Sequence, residues 1–143
     1  MPTAVGNTYV LANIGELEPA PRLAPGATDD GRRRFDVRRT LDIAAFGVSA
    51  FSAPSGVVVI SEHDETLLGE AGQEELYVCL AGSGAVVLDG DGTELPLDAD
   101  QLAAVGPGVA RTLRSGPEGL RVLIVGGVAG KAYEPPDWSS QGE

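Results

Sequence analysis

The chain predicts an all-β fold, an antiparallel sandwich or small barrel, and three observations carry that expectation. Twenty glycines and ten prolines are spread through 143 residues, a distribution that favours short strands joined by tight turns. Eight or nine apolar segments recur at spacings of about ten residues, each bounded by turn-forming residues. No segment keeps a long helical period, and strands do not alternate with helices as a doubly wound sheet requires.

Tyr9-Val10-Leu11-Ala12-Asn13-Ile14 reads as one early strand, followed by loop through Pro25-Gly26 to Gly31. Residues 1–31 are therefore assigned to an N-terminal arm. Residues 32–130 form the barrel and 131–143 a C-terminal tail that holds the only tryptophan, Trp138. Phe46 to Ser52 alternates large and small residues, as a strand with two unlike faces does. Pro54-Ser55-Gly56 turns the chain. Val57-Val58-Val59-Ile60 is a β-branched run, predicted to be a strand buried on both sides. The polar stretch from Ser61 to Gln73 reads as a long loop.

Glu75 to Leu80 is predicted to be a strand that ends at a Gly82-Ser83-Gly84 turn, with Ala85 to Leu88 as its hairpin partner. Asp89-Gly90-Asp91-Gly92 turns again. Thr93 to Leu97 follows as a short strand, and Pro96 puts it at a sheet edge because proline donates no ladder hydrogen bond. Leu102 to Val105 leads into Gly106-Pro107-Gly108. Arg111 to Arg114 alternates, Ser115 to Gly119 reads as a turn, and Leu120 to Val125 closes the strand series.

A chain of this length forms one domain and buries about two-thirds of its unfolded surface without staples. The formal charge of -11 excludes nucleic acid and anionic membrane as partners, since both demand basic surface. Arg32-Arg33-Arg34 with Arg38-Arg39 is the one basic cluster, expected to be solvated or paired with acids. Cys79 is the only cysteine, so no intrachain disulfide forms and a reducing compartment is compatible. Neither a signal-peptide pattern at Met1 to Gly6 nor an apolar run of membrane-spanning length is found, which predicts a cytoplasmic location.

Glu75 and Gly82, separated by six residues, and the segment Gly106-Pro107-Gly108-Val109-Ala110-Arg111 together resemble the two motifs of the cupin superfamily over about Phe46 to Val125. The resemblance implies a cupin-type jelly roll with a pocket in the barrel mouth. The family's first motif has two histidines flanking one residue, then a glutamate, six residues and a glycine. Its second has proline, any residue, glycine, two residues and a histidine. The family's metal site of three histidines and one glutamate cannot be assembled here, because His63 is the single histidine. Aligned on the first histidine, His63 puts Glu65 in the place of the second. Arg111 occupies the last histidine's place, and a guanidinium stays protonated and never ligates. Asp100 and Ser115 replace the glycine and asparagine that usually bracket the second motif.

The expected catalytic residues are His63, Glu75 and Arg111, and the expected substrate-binding residues are Gln73, Tyr77, Phe51 and Glu65. Glu75 serves as acid or base, or simply pairs with Arg111 as an ion pair. Arg111 clamps a carboxylate, phosphate or enolate oxygen through its planar fork, or hydrogen-bonds a loop at the barrel rim. His63, next to Asp64 and Glu65, shuttles protons or bonds its own turn. Tyr77 and Cys79 share the face of Glu75, since alternate residues of a strand point the same way. Phe46, Phe51 and Trp138 are expected to pack in the core.

The favoured expectation is a pocket without metal or other cofactor that performs acid-base chemistry on an anionic or enolisable metabolite. Isomerisation, cyclisation and dehydration fit, since each needs proton transfer and a partner for an oxyanion. Two alternatives stay open. One is a divalent-metal oxygenase or isomerase using His63, Glu65 and Glu75. The other is a binding module without turnover. The resemblance also implies a homodimer in which arms are exchanged.

Overall fold

The computed structural model describes residues 3–5, 9–20, 29–63, 73–88 and 90–134. Two long strands organise it. β6, Glu74–Leu88, and β9, Arg111–Gly127, pair antiparallel along almost their full lengths. The other strands are β1 (Thr3–Val5), β2 (Tyr9–Leu11), β3 (Arg33–Phe35), β4 (Gly47–Ala53), β5 (Val58–His63), β7 (Thr93–Asp98) and β8 (Leu102–Val105). A 3-10 turn at Ile14–Glu16 and the four-residue helix α1, Val37–Thr40, complete the elements.

The main sheet runs β3-β4-β9-β6-β7, with β5 also on β9 and β8 also on β6. Each long strand therefore serves two layers. The first half of β6 pairs with β8 and the last half of β9, which β4 flanks. The second half of β6 pairs with β7 and the first half of β9, which β5 flanks. Register shifts between Cys79 and Ala81 and between Gly82 and Gly84 mark the bend that folds one layer over the other.

This bend corrects the hairpin expected at Gly82-Ser83-Gly84, and likewise the turn expected at Ser115 to Gly119. The chain continues as strand through both. Gly82 and Gly119 have φ of 77°, and a Cβ on Gly82 would run into the Gly119 carbonyl. The glycines thus permit a close backbone crossing at the bend rather than a chain reversal. Chain reversal comes at Gly92, which accepts φ of 73° while its N–H bonds the Leu88 carbonyl at 2.8 Å. β7 lies at the sheet edge, as its proline requires.

The facing layers enclose one core of Val59, Tyr77, Cys79, Val86, Leu97, Val105, Leu113, Leu120, Val122 and Ile124. On the outside of β4 and β9 a second cluster, Leu17, Phe35, Val37, Val48 and Ala50, packs with Ile14, Leu41, Ile43, Leu123 and Val125. The alternation along β9 (122 and 124 inward, 123 and 125 outward) follows from the period of two. The same alternation corrects the reading of residues 57–60. Val59 is buried but Val58 is 44% exposed, because β5 presents one face to the core and the other to solvent. β5 also extends to His63, into the segment expected to be loop.

The arm holds two strands where one was expected; β1 and β2 form their own antiparallel pair. Arg32 bonds Asp30 at 2.9 Å and the Val58 and Val59 carbonyls at 3.2 Å, and Arg33 bonds Asp29 at 3.0 Å. These two members of the basic cluster are paired with acids, as expected. Arg38 lies 5.9 Å from the centre of the Tyr133 ring. No helix among the described residues is long and apolar enough to cross a membrane.

Candidate active site

Because β6 folds back on itself, its two ends meet at the same end of the barrel. Glu75 lies near the start of β6, opposite Val105 of β8 and Gly126 of β9. Arg111 opens β9, opposite Leu88 of β6 and His63 of β5. Residues 36 apart in sequence are thereby brought into contact, with Arg111 Nη1 3.4 Å from Glu75 Oε1.

Three interactions define the arrangement. Arg111 Nη1 donates to Glu75 Oε1, Arg111 Nη2 donates to the Gly106 carbonyl at 2.6 Å, and Tyr77 Oη donates to Glu75 Oε1 at 2.7 Å. The Arg111 side chain is 0% exposed and Glu75 12%. Nε of Arg111 is buried without a hydrogen-bond partner among the described residues. Leaving one donor unmet costs about 1–3 kcal/mol, so the position is held by its charge pair and its carbonyl contact rather than by full satisfaction of the guanidinium. One carboxylate oxygen thus receives two donors, one cationic. Such bonding fixes the orientation of the carboxylate.

The structure brings Glu75, Tyr77, Arg111 and Gln73 together. Gln73, half-buried, lies over Gly126: a Cβ built on that glycine would fall 2.7 Å from Gln73 Oε1 and 3.5 Å from Glu75 Cγ. The backbone of His63 joins the group by pairing with Arg111, and its side chain lies outside the described residues. Glu65, Asp64 and Trp138 lie outside the described residues altogether. Phe51 does not join them. It pairs with Val122, four residues from the Gly126 rung, which is roughly 13 Å along a strand. It packs against the core there. Phe46 is 41% exposed, contrary to the core packing expected of it.

Two positions here escaped the sequence reading. The Gly106 carbonyl anchors Arg111, and Gly126 makes room for Gln73. A glycine inside a β-branched strand does signal close approach of another group, and Gly126 carries that signal. The Gly106 carbonyl carries none, since any residue has one.

Cys79 is buried in the core, where burial pushes its thiol up from the ordinary range. Its Sγ is 3.5 Å from the Ala81 carbonyl. It lies on the face of Glu75 but four residues further toward the bend. Two surface clefts of about 280 Å³ lie at the bend end. One is lined by Ser52, Pro54, Gly82, Glu118 and Arg121, the other by Glu94, Arg114 and Gly116. Neither includes Glu75 or Arg111, and their lining lacks a buried charged group. The paired charges at the opposite end are the stronger indication of a site.

Similar solved structures share this architecture. A sugar phosphate isomerase from a cupin superfamily, from Silicibacter pomeroyi, is 19% identical with a TM-score of 0.63, over 86% of this chain and 75% of that one. A predicted oxalate decarboxylase from Thermotoga maritima is 16% identical with a TM-score of 0.59, over 82% and 98%. A cupin protein from Bacteroides fragilis is 20% identical with a TM-score of 0.57, over 84% and 93%. No family model and no curated protein matches the chain. At these identities the likeness extends to the fold and not to the substrate.

Proposed function

We propose that this chain, a cupin by fold, binds a small enolisable metabolite at the Glu75 end of its barrel and moves a proton there without a metal. One observation carries the reading. Glu75 keeps partial exposure while one of its oxygens is fixed by Arg111 and Tyr77. A carboxylate fixed in orientation and partly exposed at the end of a barrel is placed to act as a general base. The positive charge of Arg111 is paired with Glu75, so an enolisable carbonyl compound fits better than a strongly anionic guest. Arg111 and Tyr77, both fully buried, act through Glu75 as positioning residues.

The surroundings of Glu75 suit a divalent ion poorly. His63 is the only imidazole of the chain, and a cation on Glu75 would stand beside a guanidinium. At an effective dielectric of about 20, that repulsion is several kcal/mol.

The proton step balances without a redox partner. Glu75 takes a proton from the carbon next to the carbonyl, and the electron pair moves onto the carbonyl oxygen. Return of the proton to the same carbon gives exchange; in a 2-hydroxy carbonyl compound, return to the former carbonyl carbon, with the hydroxyl proton passing to the other oxygen, gives isomerisation. The reading includes a cytoplasmic setting, supported by the lone buried thiol. It also includes a homodimer. Leu76 and Leu80 of β6 and Leu102 of β8 form an exposed apolar strip, and Tyr9 and Leu11 of the arm are exposed as well. Two such surfaces on one chain suit reciprocal pairing about a two-fold axis.

The test is hydrogen exchange followed by proton NMR in D₂O, with hydroxyacetone and pyruvate as probes. The protein is expected to wash deuterium into at least one probe, and Glu75→Gln is expected to stop it. Exchange no faster than in buffer for both probes, or undiminished by Glu75→Gln, overturns the reading.

A further inference from the structure

We infer that Gln73 is a specificity-determining residue of this site, holding the substrate's carbonyl oxygen, and that Gly126 exists to seat it. The inference rests on the proposed role of Glu75 and names the group that completes it.

Proton removal by Glu75 needs a donor for the oxygen on which charge develops. Arg111 is poorly placed to give it, since the whole residue is buried and two of its nitrogens are spent on Glu75 and the Gly106 carbonyl. Tyr77 is equally buried and donates its hydroxyl to Glu75. Gln73 is different. It is half-buried, immediately precedes β6, and its carboxamide lies over Gly126 beside Glu75. Gln73 Oε1 and Glu75 Cγ both lie within 3.5 Å of the point where a Cβ of residue 126 would stand. The amide therefore sits in the space that any side chain at 126 would take.

A carboxamide is uncharged and offers two N–H donors. Beside an ionised carboxylate it favours a neutral carbonyl compound. A substrate carboxylate at the same place would face Glu75, a like charge. The substrate class is thus a neutral enolisable ketone or aldehyde in preference to an oxo-acid.

Gly126 supplies a clean perturbation. The nearest atom to a new Cβ is the end of the flexible Gln73 side chain; the next, the Glu74 carbonyl and Glu75 Cγ, are at 3.4 and 3.5 Å. Gly126→Ala therefore displaces Gln73 while the rest of the strand stays. The experiment measures exchange into hydroxyacetone and pyruvate for the wild type, Gly126→Ala, Gln73→Ala and the double variant, with a thermal melt of each. Hydroxyacetone is expected to exchange faster than pyruvate in the wild type. Each single variant is expected to lose roughly 100-fold in kcat, the usual effect of removing one oxyanion donor, with its melt preserved. The double variant is expected to be no worse than either single one, because both act on the same amide. Wild-type exchange that is insensitive to Gln73→Ala, or losses that multiply in the double variant, overturn the inference while leaving the role of Glu75 standing. Absence of exchange in the wild type overturns both.

Discussion

Replacing Arg111 by methionine removes the cation and keeps most of the volume, and the structure sets the expected loss. Arg111 is fully buried and Glu75 nearly so. Breaking a buried pair by deleting one partner costs about 3–5 kcal/mol, because the other charge is left without compensation. The 3.4 Å separation, the residual exposure of Glu75 and the surviving Tyr77 hydrogen bond argue for the lower end. About 3 kcal/mol is therefore expected, or roughly 10 °C in Tm for a chain of this length. The assay is a double-mutant cycle of Arg111→Met and Glu75→Gln, read by urea and thermal denaturation. The double variant should recover much of the loss, since removing both charges leaves nothing uncompensated. Single and double variants that add independently would refute the buried pair.

Other outcomes follow from the same contacts. Gly82→Ala should destabilise by about 2–5 kcal/mol in chemical denaturation, combining left-handed backbone strain with collision against the Gly119 carbonyl. Cys79 should resist alkylation in the native state and react only on unfolding. Its raised thiol pKa also sets a sign: above the ordinary thiol range, near 8.5, the unfolded thiol ionises and the folded one does not. Stability carried by the neutral thiol is present below that range and falls as pH rises through it, and Cys79→Ala should remove that part of the slope. Leu102→Glu, on the exposed strip, should give a monomer by analytical ultracentrifugation, and a dimer of unchanged affinity would discard that surface.

Much of the architecture was legible because period-two alternation and turn residues mark strands directly. Pro96 placed β7 at an edge, and the Glu75 to Gly82 spacing pointed to the fold. What the residues could not disclose was whether a Gly-Ser-Gly or Ser-Gly-Pro-Glu-Gly segment reverses the chain or bends it. A glycine at positive φ serves both, and only the register on the neighbouring strand decides. The pairing of Glu75 with Arg111 was among the expected arrangements. Its consequence was not, because burial of the guanidinium depends on the fold-back of β6, a contact between distant segments. Tyr77 was expected to bind substrate from the face of Glu75; its ring is buried in the core and its hydroxyl donates to Glu75. The seat of Gln73 on Gly126 depends likewise on a cross-strand neighbour.

The most direct measurement is a ¹³C NMR titration of the Glu75 carboxyl with equimolar Mn²⁺. A base locked by a guanidinium and a phenol hydroxyl keeps a sharp signal in the presence of the ion, and the signal moves when hydroxyacetone is added. Selective paramagnetic loss of that signal at one equivalent, with the other carboxyl signals kept, would mean that the carboxylate coordinates a metal and that Arg111 does not hold it.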